Sequence, residues 1–125
     1  MKNFNTKQQG NVGIGKCISW ATQLGYTVCI PLNDSQNYDL VVEINNKLLK
    51  IQVKTSRYKN KYGKYIVDLR STSIYTNKNF DSSTVDYVFI TTEDNSCYLI
   101  PSCEVITKTA ITINSESEKY KLAVN

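Results

Sequence analysis

Three residues of this 125-residue chain have the types and spacing to do chemistry together: Asp39, Gln52 and Lys54, in the pattern Asp-x(12)-Gln-x-Lys. They supply a carboxylate, an amide and an ammonium. The sequence contains no histidine. That removes Ser-His and Cys-His nucleophilic catalysis and all histidine acid/base work. Chemistry must then come from carboxylates, amides and lysines, with a hard metal ion bound through oxygen as the available addition.

The elements that must position these residues are readable around them. Residues 38–44 and 47–55 alternate like strands, and Asn45-Asn46 between them suits a two-residue hairpin turn, because asparagine tolerates positive φ. That turn sets Ile44 opposite Lys47, Val42 opposite Leu49 and Leu40 opposite Ile51. It gathers Leu40, Val42, Ile44, Leu49, Ile51 and Val53 on one face, and a slip of one residue would mix that face. The same register sets Asp39 opposite Gln52, with Cβ atoms about 4.5–5.5 Å apart. Lys54, two residues on, points to the same side. Glu43 shares that face, but four strand residues carry it roughly 13 Å from Asp39.

Upstream, Ile14, Cys17, Ile18, Ala21 and Leu24 recur at helical spacing, predicting a helix over 11–24 that Gly25 ends. Gly10, Gly13 and Gly15 crowd its entrance. A short strand follows over 26–30, stopped by Pro31. Downstream, 65–70 reads as a third hairpin strand after a turn at Tyr62-Gly63. Strands are expected over 86–92 and 97–100, a helical turn over 102–106 and a last strand over 110–113. The tail from Ser115 has no defined pattern.

The length fits one domain, residues 1–125. No apolar run approaches the roughly 20 residues of a membrane span, and the polar N-terminus lacks a signal-peptide apolar region, so a cytoplasmic protein is expected. The four cysteines, Cys17, Cys29, Cys97 and Cys103, show no Cys-x-x-Cys pair. They read as reduced, mostly buried thiols. Charge is divided unevenly: residues 1–78 carry 12 Lys/Arg against 4 Asp/Glu, and residues 79–125 carry 3 against 7. A basic front portion points to an anionic partner, nucleic acid first. Within it, Arg57, Lys59, Lys61 and Lys64 interleave with Tyr58, Tyr62 and Tyr65. Cations of this kind neutralise phosphates, and tyrosines donate to phosphate or stack on bases.

A helix, a strand and then a hairpin with Asp on one arm and x-x-Lys on the next resembles the PD-(D/E)XK nuclease superfamily. Within it the chain looks like the group I intron-associated, homing-type endonucleases. The resemblance is carried by Gly25-Tyr26, Pro31-Leu32, Tyr38-Asp39-Leu40-Val41-Val42 and Ile51-Gln52-Val53-Lys54-Thr55. It runs from about Gly10 to Ser56, with weaker echoes at 86–90 and 98–101. Gln52 stands where the superfamily usually has glutamate, a recurring variant in this branch.

The resemblance implies a mixed α/β (α+β) fold with a restriction-endonuclease-like core: an N-terminal helix, then a mixed β-sheet with short flanking helices. It implies phosphodiester hydrolysis on double-stranded DNA. Asp39, the Gln52 side-chain oxygen and the Val53 carbonyl would hold Mg²⁺ or Mn²⁺. Lys54 would orient the attacking water and offset transition-state charge. Symmetric multimers, dimers or tetramers, are expected by the same analogy. Many relatives add a glutamate on the first helix, at about Ile14 here, and no acid occurs between Met1 and Leu32. Asp34 is the candidate substitute ligand. With one carboxylate fewer than usual, weaker metal binding is expected. Two alternatives stay open: an inactive nuclease-fold module that binds DNA or a protein partner, and a Holliday-junction-type resolvase.

Overall fold

The structure, a computed structural model, describes residues 5–33, 35–72, 77–78, 84–106 and 108–123. It opens with helix α1 (Thr6–Gln23), which starts five residues before the expected 11. The reason is a capping box. Asn5 Oδ1 accepts from the Gln8 amide at 2.8 Å, and Gln8 Oε1 accepts from the Asn5 amide at 3.0 Å, satisfying two of the helix's first donors. The expected stop is where it should be. Gly25 has φ +80, its amide bonds Thr22 O, and the Tyr26 amide bonds Ala21 O, a left-handed cap that favours glycine.

The strands are β1 (Thr27–Cys29), β2 (Leu40–Ile44), β3 (Lys47–Ser56), β4 (Ile66–Asp68), β5 (Ser71–Thr72), β6 (Asn77–Lys78), β7 (Tyr87–Thr92), β8 (Cys97–Pro101), β9 (Ala110–Thr112) and β10 (Lys121–Leu122). Short 3₁₀ turns occupy Ser102–Glu104 and Ser115–Tyr120. Among the described residues the main sheet has six strands in the order β1-β2-β3-β7-β8-β10. The β3–β7 pair at its centre is parallel; the other pairs are antiparallel. This is the mixed sheet the resemblance implied.

The β2–β3 hairpin has the expected register, with Leu40 opposite Ile51, Val42 opposite Leu49 and Ile44 opposite Lys47. Asn45 and Asn46 both take positive φ, 53 and 65, as a two-residue turn matched to strand twist requires. Leu40, Val42 and Ile51 are buried with Phe89 beneath Cys17, Trp20 and Ala21 of α1. The helix comes close to the sheet because of Gly13: a Cβ there would lie 2.6 Å from Thr55 Cγ2 and 3.0 Å from Val53 Cγ1.

The opposite face of the sheet is covered too. Val88 and Ile90 pack there with Tyr65, Val67, Leu69, Val85, Ile100, Val105 and Ile113. Much of this cover comes from β4, which pairs with β9 as a separate two-stranded ladder and does not extend the β2–β3 hairpin as a third arm. Toward β3 it is tied by a Lys59–Tyr65 bridge and by the Ile66 amide on Tyr58 O at 2.9 Å. The undefined tail becomes a 3₁₀ turn and the edge strand β10, paired with β8. Of the cysteines, all free, Cys17 and Cys97 are buried while Cys29 and Cys103 are exposed, so half of the expected burial is absent. No described helix is long and apolar enough to cross a membrane.

Candidate active site

Asp39 stands one residue before the β2–β3 ladder. Its amide donates to Ile51 O at 2.9 Å, and its Oδ2 accepts from the Val53 amide at 2.7 Å. The carboxylate is thereby clamped across the strand that carries the other two residues. Gln52 follows Ile51 with its side chain on the opposite sheet face, opposite Val88 of β7, and is buried at 9% exposure. Its Nε2 donates to Asn37 O at 3.0 Å. Because a carbonyl can only accept, that bond decides which end of the amide points where. Oε1 is left buried with no hydrogen-bond partner, the sole such side-chain atom among the described residues. Lys54, half-buried, donates from Nζ to Arg70 O at 3.3 Å.

The electrostatics follow from this partial burial. Burial pushes the Asp39 carboxyl above its ordinary range, and the Val53 hydrogen bond and the Lys54 charge oppose the shift. Burial also holds the Lys54 ammonium below the ordinary lysine value, opposed by Asp39 and then by Asp68. Each group thus supports the charged form of the other, against a shared desolvation penalty.

The donors Asp39 and Gln52 Oε1 form an all-oxygen set of the kind a hard divalent cation takes. An orphaned buried amide oxygen costs about 1–3 kcal/mol, and a cation beside it would remove that penalty. The residues present therefore fit such an ion. They fit it with one carboxylate, since no cluster of three or more Asp, Glu, Cys or His occurs among the described residues. Val53 contributes its amide to Asp39, leaving its carbonyl as the group the resemblance assigned to the metal. A cleft of about 450 Å³ runs beside the site, lined by Ile14, Pro31, Leu32, Tyr38 and Asp39 among others. Ile14 thus borders the same cleft as Asp39, at the position where relatives were expected to place a helix acid. Asp34 lies outside the described residues. Glu43 is exposed and paired with Leu48, toward the turn.

The basic hairpin follows directly from β3. Asn60 organises its turn, accepting at Oδ1 from the amides of Tyr62 and Lys64. Lys59, Lys61 and Lys64 are exposed and Arg57 half-exposed. Tyr58 and Tyr62 are 77% and 73% exposed, whereas Tyr65 belongs to the core. Lys59 Nζ lies 5.0 Å from the Tyr65 ring centre and Lys61 Nζ 5.1 Å from that of Tyr62. The sequence reading missed Asn37, which anchors Gln52 through its backbone, and Arg70 with Asp68, which approach Lys54 only because β4 packs back toward β3. Nothing in local spacing announces either contact.

The fold, a helix packed on a mixed sheet, is that of restriction-endonuclease-like nucleases. A sequence model of the PD-(D/E)XK endonuclease family matches residues 4–124, and the chain belongs to that family. It is similar to the solved structure of a bacterial homing endonuclease, I-Ssp6803I, with 27% identity and a TM-score of 0.84, covering 94% of this chain and 89% of that one. The crystal structure of MepB is 15% identical with a TM-score of 0.53, over 89% of this chain and 97% of that one; this is a likeness of fold. No curated protein sequence matches the chain.

Proposed function

We propose that the chain, acting as one domain over residues 1–125, is a Mg²⁺- or Mn²⁺-dependent DNA endonuclease of the homing type. The observation that carries this reading is the Asp39 carboxylate clamped to the strand that also bears a buried, unpartnered Gln52 Oε1 and, two residues further along, Lys54. The similarity to a homing endonuclease at 27% identity supports DNA as substrate.

Asp39, Gln52 Oε1 and the Val53 carbonyl would hold the cation. A divalent ion in such a site supplies Lewis-acid polarisation of the phosphodiester and a lowered pKa for attacking water. Asp39 orients the donor set, and its clamp on the β3 backbone keeps the carboxylate from wandering. Lys54 directs the attacking water and offsets negative charge building on the phosphorane-like transition state. Arg57, Lys59, Lys61 and Lys64 neutralise backbone phosphates of double-stranded DNA, with Tyr58 and Tyr62 available to donate or stack. Cutting both strands needs two such sites, so the working form is a homo-oligomer, dimer or tetramer, acting in the cytoplasm.

The test is incubation of the purified protein with supercoiled plasmid in Mg²⁺ or Mn²⁺, with Asp39→Ala and Lys54→Ala alongside. Metal-dependent cutting lost in both variants is the expected result. Undiminished cutting by Lys54→Ala overturns the site. A second reading is favoured by Ile14 in the cleft: a module that binds DNA or a protein without cutting. Absence of Mn²⁺ binding by calorimetry, together with absence of cutting, selects it.

A further inference from the structure

We propose that Arg70 is a DNA-phosphate contact of the active site, its guanidinium held in position by Asp68. The proposal rests on the nuclease reading above and adds a residue that the basic hairpin does not contain.

Arg70 follows the end of β4, and its carbonyl accepts from Lys54 Nζ at 3.3 Å, so its backbone is in direct contact with the lysine of the site. Its guanidinium is not loose. Nε donates to Asp68 Oδ1 at 3.1 Å and Nη2 to Asp68 Oδ2 at 3.0 Å, while the Arg70 amide also donates to Oδ1 at 2.9 Å. One carboxylate thus fixes both the backbone and the side-chain fork. The fork uses one edge of the guanidinium, and the hydrogens of Nη1 are not engaged by Asp68. Both side chains remain accessible, at 43% and 51%.

Stability does not account for this arrangement. An exposed ion pair between near neighbours contributes little, typically about 0–1 kcal/mol. The charge pattern suggests what does. From Lys54 to Arg70 the chain carries six cations and one acid, Asp68. A carboxylate on a strip that faces phosphates is repulsive unless its charge is spent locally, and here it is spent on Arg70. What the pair presents outward is a planar donor whose orientation is already set. That preorganisation lowers the ordering cost of gripping a phosphate. The hairpin lysines, by contrast, are point charges on flexible stems. Arg70 would thus grip the DNA backbone beside the phosphate that Lys54 serves.

The experiment is fluorescence anisotropy of a labelled DNA duplex in EDTA, so that binding is read without cleavage, over a series of salt concentrations. Wild type, Arg70→Ala, Arg70→Lys and Lys121→Ala would be compared; Lys121, on the edge strand β10, serves as an equal loss of charge across the sheet. If Arg70 holds one phosphate, Arg70→Ala lowers the slope of log K against log salt by about 0.9. Lys121→Ala leaves the slope unchanged. Arg70→Lys keeps the slope and weakens binding severalfold, because an ammonium cannot reproduce the fork. An unchanged slope in Arg70→Ala, or an equal fall in Lys121→Ala, overturns the phosphate contact. Full affinity in Arg70→Lys overturns the role of the Asp68 fork. A wild-type protein that binds no duplex overturns the DNA reading itself, and this proposal with it.

Discussion

Asp39 Oδ2 accepts a 2.7 Å hydrogen bond from the backbone amide of Val53, the residue between Gln52 and Lys54. The carboxylate is therefore held by the strand that carries its partners, and this contact, together with the Asp39 amide on Ile51 O, fixes where it lies relative to Gln52 and Lys54. This separates two things a mutation at Asp39 could do, lose a ligand or lose a clamp.

Asp39→Asn keeps an acceptor for the Val53 amide; Asp39→Ala does not. Both variants should lose Mn²⁺ binding by calorimetry. In thermal melts Asp39→Ala should be less stable than Asp39→Asn by about 1–3 kcal/mol, the cost of an amide left without a partner. Equal melting of the two would mean that the clamp does not operate in solution.

Ile14 borders the cleft beside Asp39. Ile14→Glu should put a second carboxylate into the oxygen donor set and tighten Mn²⁺ binding on the order of tenfold, since affinity at such sites tracks ligand charge. Unchanged or weaker binding by titration calorimetry would show that the cleft does not lead from this helix position to the metal donors.

The helix glycines should behave oppositely. Gly13→Ala drives a Cβ to 2.6 Å from Thr55 Cγ2, a branched side chain with little freedom. It should destabilise by about 1–3 kcal/mol as overpacking does. Gly10 and Gly15 have open space where a Cβ would be, so alanine at either should stabilise by roughly 0.5–1 kcal/mol. Denaturant midpoints of the three variants check this directly.

The pH profile has a defined sign. In the proposed mechanism Asp39 serves only when ionised, and burial raises its pKa; Lys54 serves only when charged, and burial lowers its pKa. Single-turnover cleavage should therefore rise above the ordinary aspartate range and fall below the ordinary lysine range, with added metal moving the acid limb down. In metal-free protein, a raised folded pKa means the folded state keeps a proton that the unfolded chain has released. Stability should thus fall as pH climbs through the Asp39 folded pKa. Asp39→Asn lacks this fall, so its melting advantage over wild type should grow across the same window.

Local patterns revealed the hairpin that bears the candidate site. Alternation and the Asn45-Asn46 pair specify the register, and the ladder has those same partners. The position of Ile14 was legible by counting back from Gly25. What stayed hidden depended on contacts between distant residues. β4 meets β9, a pairing no periodicity encodes, and it is β4 that carries Asp68 and leads to Arg70. The burial of Gln52 follows from the same layer, because a polar residue on a strand reads as solvent-facing until something covers that face. The helix start was missed for a smaller reason. Asn5 and Gln8 form the capping box, while the glycines that follow read as a helix entrance.

The Asn45-Asn46 turn is the part of the hairpin farthest from Asp39, and both residues are exposed. Exposed loop tips are ordinarily where a chain best accepts an extra residue. This one is a ruler. A single residue added there that entered the ladder instead of the loop, with β3 held in place by β7, would slide β2 along by one position and turn Asp39 to the other face of the sheet. The length of the hairpin tip is therefore tied to the placement of the carboxylate at its other end.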